Sequence, residues 1–562
     1  MLSENLPLLD HLDLSGTNFP GTGFPDIEDI SEDGNASSEQ SALPGWPSDR
    51  KLSFLGLWRC SSDACLRERL PAHRVAGDAN EEQLLAALEA YADRWFATRE
   101  ILRSLCHEVS AANITYHSAG RCLELVIERM ERYTRDKLVL ICGSQLLYSL
   151  ICHLHVENIS PLRVRTLVQI LVDILERNPK DYTIVCSCCL TLCQVCTYRH
   201  LLFLIERLLK VLLKISKDPP EKSGIQFLEE QLILEEQFED QFEEQFEDQF
   251  GEQFNAQLSA LKLTQVIIGQ LSIPEKLIFG DVGGMSVALS ILYQRFGENA
   301  DHDDEIVDIC WWLISTATTR DDHNCKLFVD RGGLELFVRC MNKWPDHKKK
   351  LYRTMLSLVT HFANVKLLRG YLKNDQLLSI FVKMLDIVSE SNDISYYTAG
   401  VLSNMLADGE DLWHLNAGCD GTPLPLVALA YSRAAIGERI ISAIEKWNPI
   451  TDFNIAYCPL RSILSLIRSS DLFAPKYWAA WALNNLSLVE SAKYCPLLFR
   501  QGALELLDTA IADARSPHKL RHWLMRSADR IREHIKTQGS AVLSEGSSQQ
   551  QVDTDTETET NE

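Results

Sequence analysis

The chain has 562 residues, of which 46% are hydrophobic, and its 55 Lys and Arg against 78 Asp and Glu give a net charge of -23. This length exceeds what one hydrophobic core normally organises, so several domains or one elongated array are both allowed. The negative charge argues against nucleic acid and membrane partners. We expect a location in the cytoplasm, with the nucleus as an open alternative, because the first residues lack the pattern of a secretion signal.

The N-terminal residues are typical of a leucine-rich repeat, since Leu9, Leu12 and Leu14 are spaced to point inward from a short strand. We predict a remnant leucine-rich repeat at 1–19, with a disordered leucine-containing tail as the alternative. Residues 20–51 are rich in Gly, Pro, Ser, Asp and Glu without sustained periodicity, which predicts a disordered linker.

From 52 to 539, apolar residues recur mainly at helical spacing, and we find no convincing strand pattern after Asn80. Asn80 can cap the first helix, with Gln83 three positions on. A helix-pair period of roughly 40 to 47 residues would fit about ten times. The predicted fold class is therefore all-α, an armadillo/HEAT-like α-solenoid, followed by a disordered acidic tail at 540–562.

Three segments share one plan, in which an apolar helix end is followed by glycine and a new apolar helix. Glycine fits there because it readily takes a positive φ. The segments are 278–289, 325–337 and 495–507. Stacked repeats of this kind form a continuous surface, which commonly binds extended peptides through Asn side chains.

An acidic insertion occupies 235–254, where a Phe recurs every fourth residue. On a helix such a stripe winds around the axis instead of staying on one face. We interpret it as an exposed insertion between repeats; a partner-binding acidic and aromatic helix is the alternative.

Clusters of metal-ligating residue types occur twice, but neither has the spacing of a metal site. Cys186, Cys189, Cys193 and Cys196 lie along one helix stripe, which favours buried thiols over zinc or redox sensing. The acidic and His runs at 301–305 and 321–323 are expected at helix starts. We therefore expect no metal, no cofactor and no enzymatic activity.

Several segments together resemble the zyg-eleven family of ubiquitin ligase substrate receptors, in its zer-one branch. They include Phe54 to Leu57, Val75 to Leu84, Ser395 to Ser403, Asn454 to Tyr457 and Trp478 to Leu507. The resemblance implies an armadillo-like domain that binds protein substrates or their N-terminal peptides. It also implies a cullin-RING ligase of the cullin-2 type, and we expect any contact with cullin and elongin subunits to use a region missing from this sequence.

The family's armadillo domain is understood to bind N-terminal glycine through a Trp-Asn pair, an Asp, and an Asn and Glu from the next repeat. The resemblance places these positions at Ser315, Thr316, Thr319, His361 and Asn364, and all five differ from the pattern. Both carboxylates that would pair with the α-ammonium are replaced, so we predict weak or absent binding of N-terminal glycine.

Later repeats supply further candidate peptide-binding residues. Trp481 and Asn485 match the Trp and Asn of the family's last repeats, although core packing of Trp481 is an equal alternative. Asn404 takes the equivalent inward position of an earlier repeat. The predicted function is a peptide- or degron-binding substrate receptor; a scaffold or pseudo-receptor that is not joined to a ligase is the alternative.

Overall fold

The computed structural model describes residues 6–19, 43, 46, 50–60, 64–67, 69–110, 114–154, 156–195, 204–220, 255–296, 304–343, 349–387, 392–409, 413, 431–447, 460–469, 472–513 and 516–552. It divides into a first unit, Met1–Leu271, and a second unit, Ser272–Glu562. The insertion predicted at 235–254, most of the predicted linker and the last ten residues of the predicted tail lie outside these residues.

The first unit begins with a three-stranded parallel sheet of β1 (His11–Asp13), β2 (Leu52–Gly56) and β3 (Ala72–Ala76), in the order β1-β2-β3. The register pairs Leu12 with Leu55 and Leu55 with Val75. Two of these strands lie in the range that we assigned to the helical repeat domain from residue 52. The helical assignment was wrong at these strands, because a strand of five residues is too short for its periodicity to identify it reliably. The leucine-rich repeat at 1–19 stays a prediction.

The segment predicted as a disordered linker contributes to the core beneath this sheet. Leu43 and Trp46 are each only 3% exposed and pack in one cluster with Leu52 and Leu55. The indole of Trp46 donates a hydrogen bond to the Arg50 carbonyl. The prediction of disorder is therefore wrong at these positions, since isolated apolar residues in a polar stretch carry no periodic signal.

Helices make up nearly all of the remaining described chain. Those of the first unit are α1 (Glu81–Ala90), α2 (Trp95–Ser110), α3 (Tyr116–Arg132), α4 (Lys137–Leu154), α5 (Pro161–Arg177), α6 (Tyr182–Val195), α7 (Ile205–Lys217) and α8 (Ala256–Gln270). Asn80 caps α1 as predicted, because its side chain accepts a hydrogen bond from the Gln83 amide. Helices α2, α4, α6 and α8 pack one against the next, and we name them the first stack.

The second unit continues the pattern with fourteen further helices among its described residues. They are α9 (Leu277–Asp281), α10 (Gly284–Arg295), α11 (Glu305–Ala317), α12 (Asp322–Asp330), α13 (Gly333–Lys343), α14 (Lys349–Asn364), α15 (Asp375–Leu385), α16 (Asp393–Leu406), α17 (Arg433–Lys446), α18 (Leu460–Ser469), α19 (Phe473–Val489), α20 (Ser491–Arg500), α21 (Ala503–Ala512) and α22 (His518–Val552). Helices α11, α14, α16, α19 and α22 pack successively and are named the second stack.

The repeated helix-glycine-helix plan is confirmed in all three predicted segments. Gly283, Gly332 and Gly502 have positive φ values of 87°, 78° and 73° between consecutive helices. In two repeats the next glycine also allows a close approach. A Cβ at Gly333 would lie 2.3 Å from the Phe328 ring, and one at Gly284 would lie 2.5 Å from the equivalent Phe279. The same turn and ring contact therefore recur in successive repeats.

One helix differs from expectation, and another is long and apolar. Helix α22 extends to Val552, so part of the tail predicted as disordered is helical. By length and composition, α4 is long and apolar enough to cross a membrane, with a mean hydropathy of 1.5. The bent pair formed by Ile273–Asp281 and Gly284–Arg295 also passes this test. For α4, 61% of the apolar window is buried, because its neighbours α2, α3 and α6 cover it.

Candidate functional site

The second stack carries the eight candidate residues, on four consecutive members of the stack. Ser315 and Thr316 lie in α11, with Thr319 just beyond it; His361 and Asn364 lie in α14; Asn404 lies in α16; Trp481 and Asn485 lie in α19. Seven of them lie within about one turn of the C-terminal end of their helix; Trp481 lies one turn earlier. Because these helices pack successively, residues distant in sequence share one side of the second unit.

Hydroxyl groups surround the C-terminal end of α11. Ser315 is buried, whereas Thr316 and Thr319 are half-buried. The Thr319 hydroxyl donates to the Ser315 carbonyl at 3.0 Å, and that of Thr318 donates to the Ile314 carbonyl at 2.8 Å. The Ile314 carbonyl also accepts the Thr318 amide at 3.0 Å, so both hydroxyls add hydrogen bonds to carbonyls of the last helical turn.

His361 joins this helix end to α14. Its Nδ1 lies 3.4 Å from Thr318 Oγ1, a contact between α11 and α14. Since the Thr318 hydroxyl already donates to its own helix, its oxygen is the acceptor and the ring nitrogen the donor. Desolvation lowers the pKa of His361 to about 4, assisted by the positive charges of Lys276 and Arg320. The imidazole is therefore neutral near pH 7.

Asn324, the third residue of α12, brings a further segment to the same place. Its Nδ2 donates to the carbonyl of Lys276 at 3.0 Å and to that of Ala317 at 3.1 Å. Its backbone amide is capped by Asp321 Oδ1 at 3.0 Å. A Cβ at Gly280 would lie 2.0 Å from Asn324 Oδ1, so the absence of a side chain at Gly280 permits this approach. One buried amide thus fixes Lys276 beside the end of α11.

A buried ion-pair cluster lies just beyond α14 and α16. Asp408, with its side chain 3% exposed, accepts from Arg369 at 2.6 Å and from Lys373 at 2.8 Å. Arg369 also donates through Nε to the Ala363 carbonyl at the end of α14. The only carboxylate of this cluster is thus shared by two cations, and it is not available to an incoming ammonium group.

The two candidate asparagines are both buried. Asn404 is fully buried, and its Nδ2 donates to the Gly400 carbonyl at 2.9 Å within α16. Asn485 is 3% exposed, and its Oδ1 receives no hydrogen bond within the described part of the chain. The preceding Asn484 differs, because Arg530 of α22 donates to its Oδ1 at 3.0 Å. A buried acceptor without a donor is costly, which makes Asn485 a candidate for binding a ligand N–H.

Trp481 lies in an aromatic core cluster. It is 2% exposed, with ring centroids 4.8 Å from Trp447 and 5.5 Å from Tyr396. Trp478 packs on the same Tyr396 ring, and its indole donates to the Tyr396 carbonyl at 3.1 Å. The structure therefore places Trp481 as the packing alternative predicts, supporting the helix that carries Asn485.

Of the thiols and carboxylates considered as metal ligands, the described thiols are largely buried and two carboxylates cap helices. Cys186, Cys188 and Cys189 are fully buried in α6, and burial raises the pKa of Cys186 to about 12. Asp304 and Asp321 cap α11 and α12, as predicted for helix starts. Within the described residues no group of three or more His, Cys, Asp or Glu could hold a metal ion. Cys196 and 301–303 lie outside those residues.

Sequence reasoning missed Lys276 and Arg320 as parts of this site. Lys276 reaches it only through the Asn324 contact, which spans 48 residues. Arg320 follows a helix C-terminus, where Gly or Asn is usual. This unusual residue type was a signal in the sequence, and the structure shows that Arg320 takes the left-handed φ of 56°. Neither position belongs to the pattern from which the candidate residues were taken.

The fold and the successive packing of helices define an armadillo-like α-solenoid. Solved structures of similar fold include an engineered protein, with 14% identity, 80% of this chain and 98% of that chain covered, and a TM-score of 0.38. Another is a designed armadillo repeat protein in complex with the peptide (KR)4, with 14% identity, 57% and 99% coverage, and a TM-score of 0.28.

The family follows from sequence comparison. A family model described as "Protein zer-1 homolog-like, C-terminal domain" matches residues 128–245 and 244–533, and the chain belongs to this family. The protein zer-1 homolog of Drosophila melanogaster is 29% identical over 556 residues, covering 92% of this chain and 64% of the relative. Zyg eleven-related protein 1 of Caenorhabditis elegans is 28% identical, with 91% and 52% covered. The Homo sapiens protein zer-1 homolog is 28% identical, with 86% and 56% covered. The chain thus spans between about half and two thirds of these relatives.

Proposed function

We propose that this chain is a peptide- or degron-binding substrate receptor of a cullin-RING E3 ubiquitin ligase of the cullin-2 type, acting by binding and not by catalysis. The observation that carries the proposal is the placement of the candidate residues on α11, α14, α16 and α19 of the second stack. A row of polar side chains at the same ends of stacked helices can hydrogen-bond an extended peptide backbone. Membership of the zer-1 family supports it.

The same geometry supports a changed preference for the peptide's first residue. An N-terminal ammonium needs a carboxylate partner when it is buried. Ser315, Thr316, Thr319, His361 and Asn364 offer none, and Asp408 already pairs with Arg369 and Lys373. A peptide that begins with glycine is therefore expected to bind no better than its N-acetylated form. Calorimetry with the full chain checks this, and micromolar or tighter binding that acetylation abolishes would contradict it.

Asn485 provides the test of the binding surface. Asn485→Ala should weaken binding of peptides selected on the native chain by about tenfold, because a backbone hydrogen bond to a buried amide is lost. Leu488→Ala is the matched control, since Leu488 lies on the same helix and is 45% exposed. Equal affinity of the native chain and Asn485→Ala would argue against this surface.

Ligase membership requires a separate measurement. Affinity purification of the tagged chain from cells tests it, and recovery of cullin and elongin subunits together with candidate substrates would support membership. Recovery of substrates without any ligase subunit would favour a scaffold or pseudo-receptor. We also propose a cytoplasmic location, which imaging of the tagged chain in the same cells would test.

A further inference from the structure

Two cations beside His361 have no ion-pair partner. In the part of the chain that the structure describes, neither the Lys276 nor the Arg320 side chain forms a salt bridge, and Lys276 is half-buried. Burial also lowers the pKa of the Lys276 ammonium, so its solvation by water is incomplete. Arg320 is exposed, whereas the partly desolvated ammonium of Lys276 is costly unless an anion neutralises it.

These cations converge because of contacts already described. Asn324 fixes the Lys276 carbonyl to the end of α11 through bonds of 3.0 and 3.1 Å. Thr318, two residues before Arg320, contacts His361 of α14. Three segments of the second unit thus bring the backbones of Lys276 and Arg320 and the His361 ring to the C-terminal end of α11, where the side chains of Thr316 and Thr319 are half-buried.

The backbone at Arg320 gives an independent indication. Its φ of 56° lies in the left-handed region, which is strained for a residue with a Cβ. At other junctions between helices of this unit, Gly283, Gly332 and Gly502 take such φ values. An arginine at this place supplies a charge where glycine would relieve the strain, as is common at binding sites.

Two acidic groups nearby in sequence have other contacts, whereas Asp322 is exposed. Asp321 caps α12 through Asn324, and Asp281 lies 3.5 Å from His323. The chain as a whole carries a net charge of -23. A pair of unneutralised cations in such an acidic protein therefore makes a local field opposite to that of its surroundings.

We propose that Lys276 and Arg320, together with the hydroxyl of Thr316, form an anion subsite that binds an acidic side chain of a partner peptide lying on the second stack. This inference rests on the proposed function and specifies its ligand class. Charge complementarity identifies the occupant, because a carboxylate gains two cationic partners and a hydroxyl donor at one helix end.

A peptide library tests the proposal on the full chain. Nonapeptides with acetylated N-termini, amidated C-termini and randomised residues are passed over the immobilised protein, and the retained peptides are sequenced by mass spectrometry. We expect Asp and Glu to exceed Asn and Gln by about fivefold at one position or more. In the double variant Lys276→Gln and Arg320→Gln this ratio should fall below about twofold, because a carboxylate then loses both charge-assisted hydrogen bonds.

A charge-matched control keeps the result specific. Lys476→Gln with Arg461→Gln removes two cations at the start of α19 and in α18, and should leave the acidic preference unchanged. An equal loss in both double variants would assign the preference to net charge and overturn the subsite. Enrichment at other positions without any acidic preference would overturn the subsite while leaving the receptor function standing. No enrichment at all would overturn both.

The chain's own acidic tail is the competing occupant. A chain ending at Val552 lacks the acidic residues 553–562 and is tested in parallel. If acidic enrichment appears only in this shortened chain, the site belongs to the tail and the partner proposal fails. Similar enrichment in both chains supports the partner peptide. A preference that appears only for peptides with a free C-terminal carboxylate would also contradict recognition of a side chain.

Discussion

The first and second stacks follow one packing scheme but differ in their buried polar groups. In the first stack these are mainly hydroxyls that bond their own helix, such as Ser144 to the Ile141 carbonyl and Thr191 to the Ser187 carbonyl. In the second stack the helix ends carry His361, Asn404 and Asn485. Hydroxyls returned to their own helix serve packing, whereas amides and imidazole retain capacity for a ligand. The buried polar groups of the first stack thus serve packing, whereas those of the second stack are candidates for binding a ligand.

The largest expected effect concerns Trp481. Trp481→Ala should lower the free energy of unfolding by about 3–5 kcal/mol, because a buried aromatic ring leaves a cavity beside Trp447 and Tyr396. Urea unfolding followed by circular dichroism measures it. Leu488→Ala on the same helix should change stability by less than about 0.5 kcal/mol. A stable Trp481→Ala variant that loses peptide binding would instead place this residue in the ligand groove.

The second largest effect is a pH dependence of stability that comes from His361 in the second stack. The pKa of His361 is lowered to about 4, so the unfolded chain binds more protons than the folded chain between about pH 6.5 and 4. Stability should therefore fall with decreasing pH across this window, and His361 should account for about 1–3 kcal/mol. His361→Gln should remove that part of the slope in urea unfolding at pH 7 and pH 4.5. His323→Gln, at an exposed position of α12, should keep it, and an unchanged slope in His361→Gln would contradict the assignment.

The smallest effect belongs to the thiols of the first stack. Cys188 is fully buried, and Cys188→Ser should destabilise the chain by about 1–2 kcal/mol because a hydroxyl is left in an apolar site. Cys152→Ser should be nearly neutral, since Cys152 is exposed. Iodoacetamide should label Cys152 long before Cys188, whose pKa is raised by burial. Rapid modification of Cys188 in the folded chain would show that this stack is not a tightly packed support.

Much of the fold could be predicted because helical periodicity and glycine turns are local signals. The turns at Gly283, Gly332 and Gly502 and the cap at Asn80 follow from a few neighbouring residues. Strands β2 and β3 could not be predicted, since their stability comes from pairing between segments. The burial of Leu43 and Trp46 likewise depends on distant partners.

The sequence predicted candidate residues of the site, but not the cations Lys276 and Arg320 beside them. Resemblance placed residues on four helices that the structure stacks together, yet it gave no information on which side chains face the core. Trp481 packs among aromatic rings, and Lys276 joins the site through a single long-range amide contact. Such contacts are properties of tertiary packing, which no pattern within one repeat contains.

The burial of the Asp408 cluster has a consequence for experiments in concentrated salt. Mobile ions screen charges that water reaches, with a Debye length of about 3 Å at 1 M, but they act weakly on buried pairs such as Arg369 with Asp408. Arg320, in contrast, is exposed. High ionic strength is therefore expected to release acidic peptides while leaving the junction of α14 and α16 intact, so that elution and unfolding occur under separate conditions.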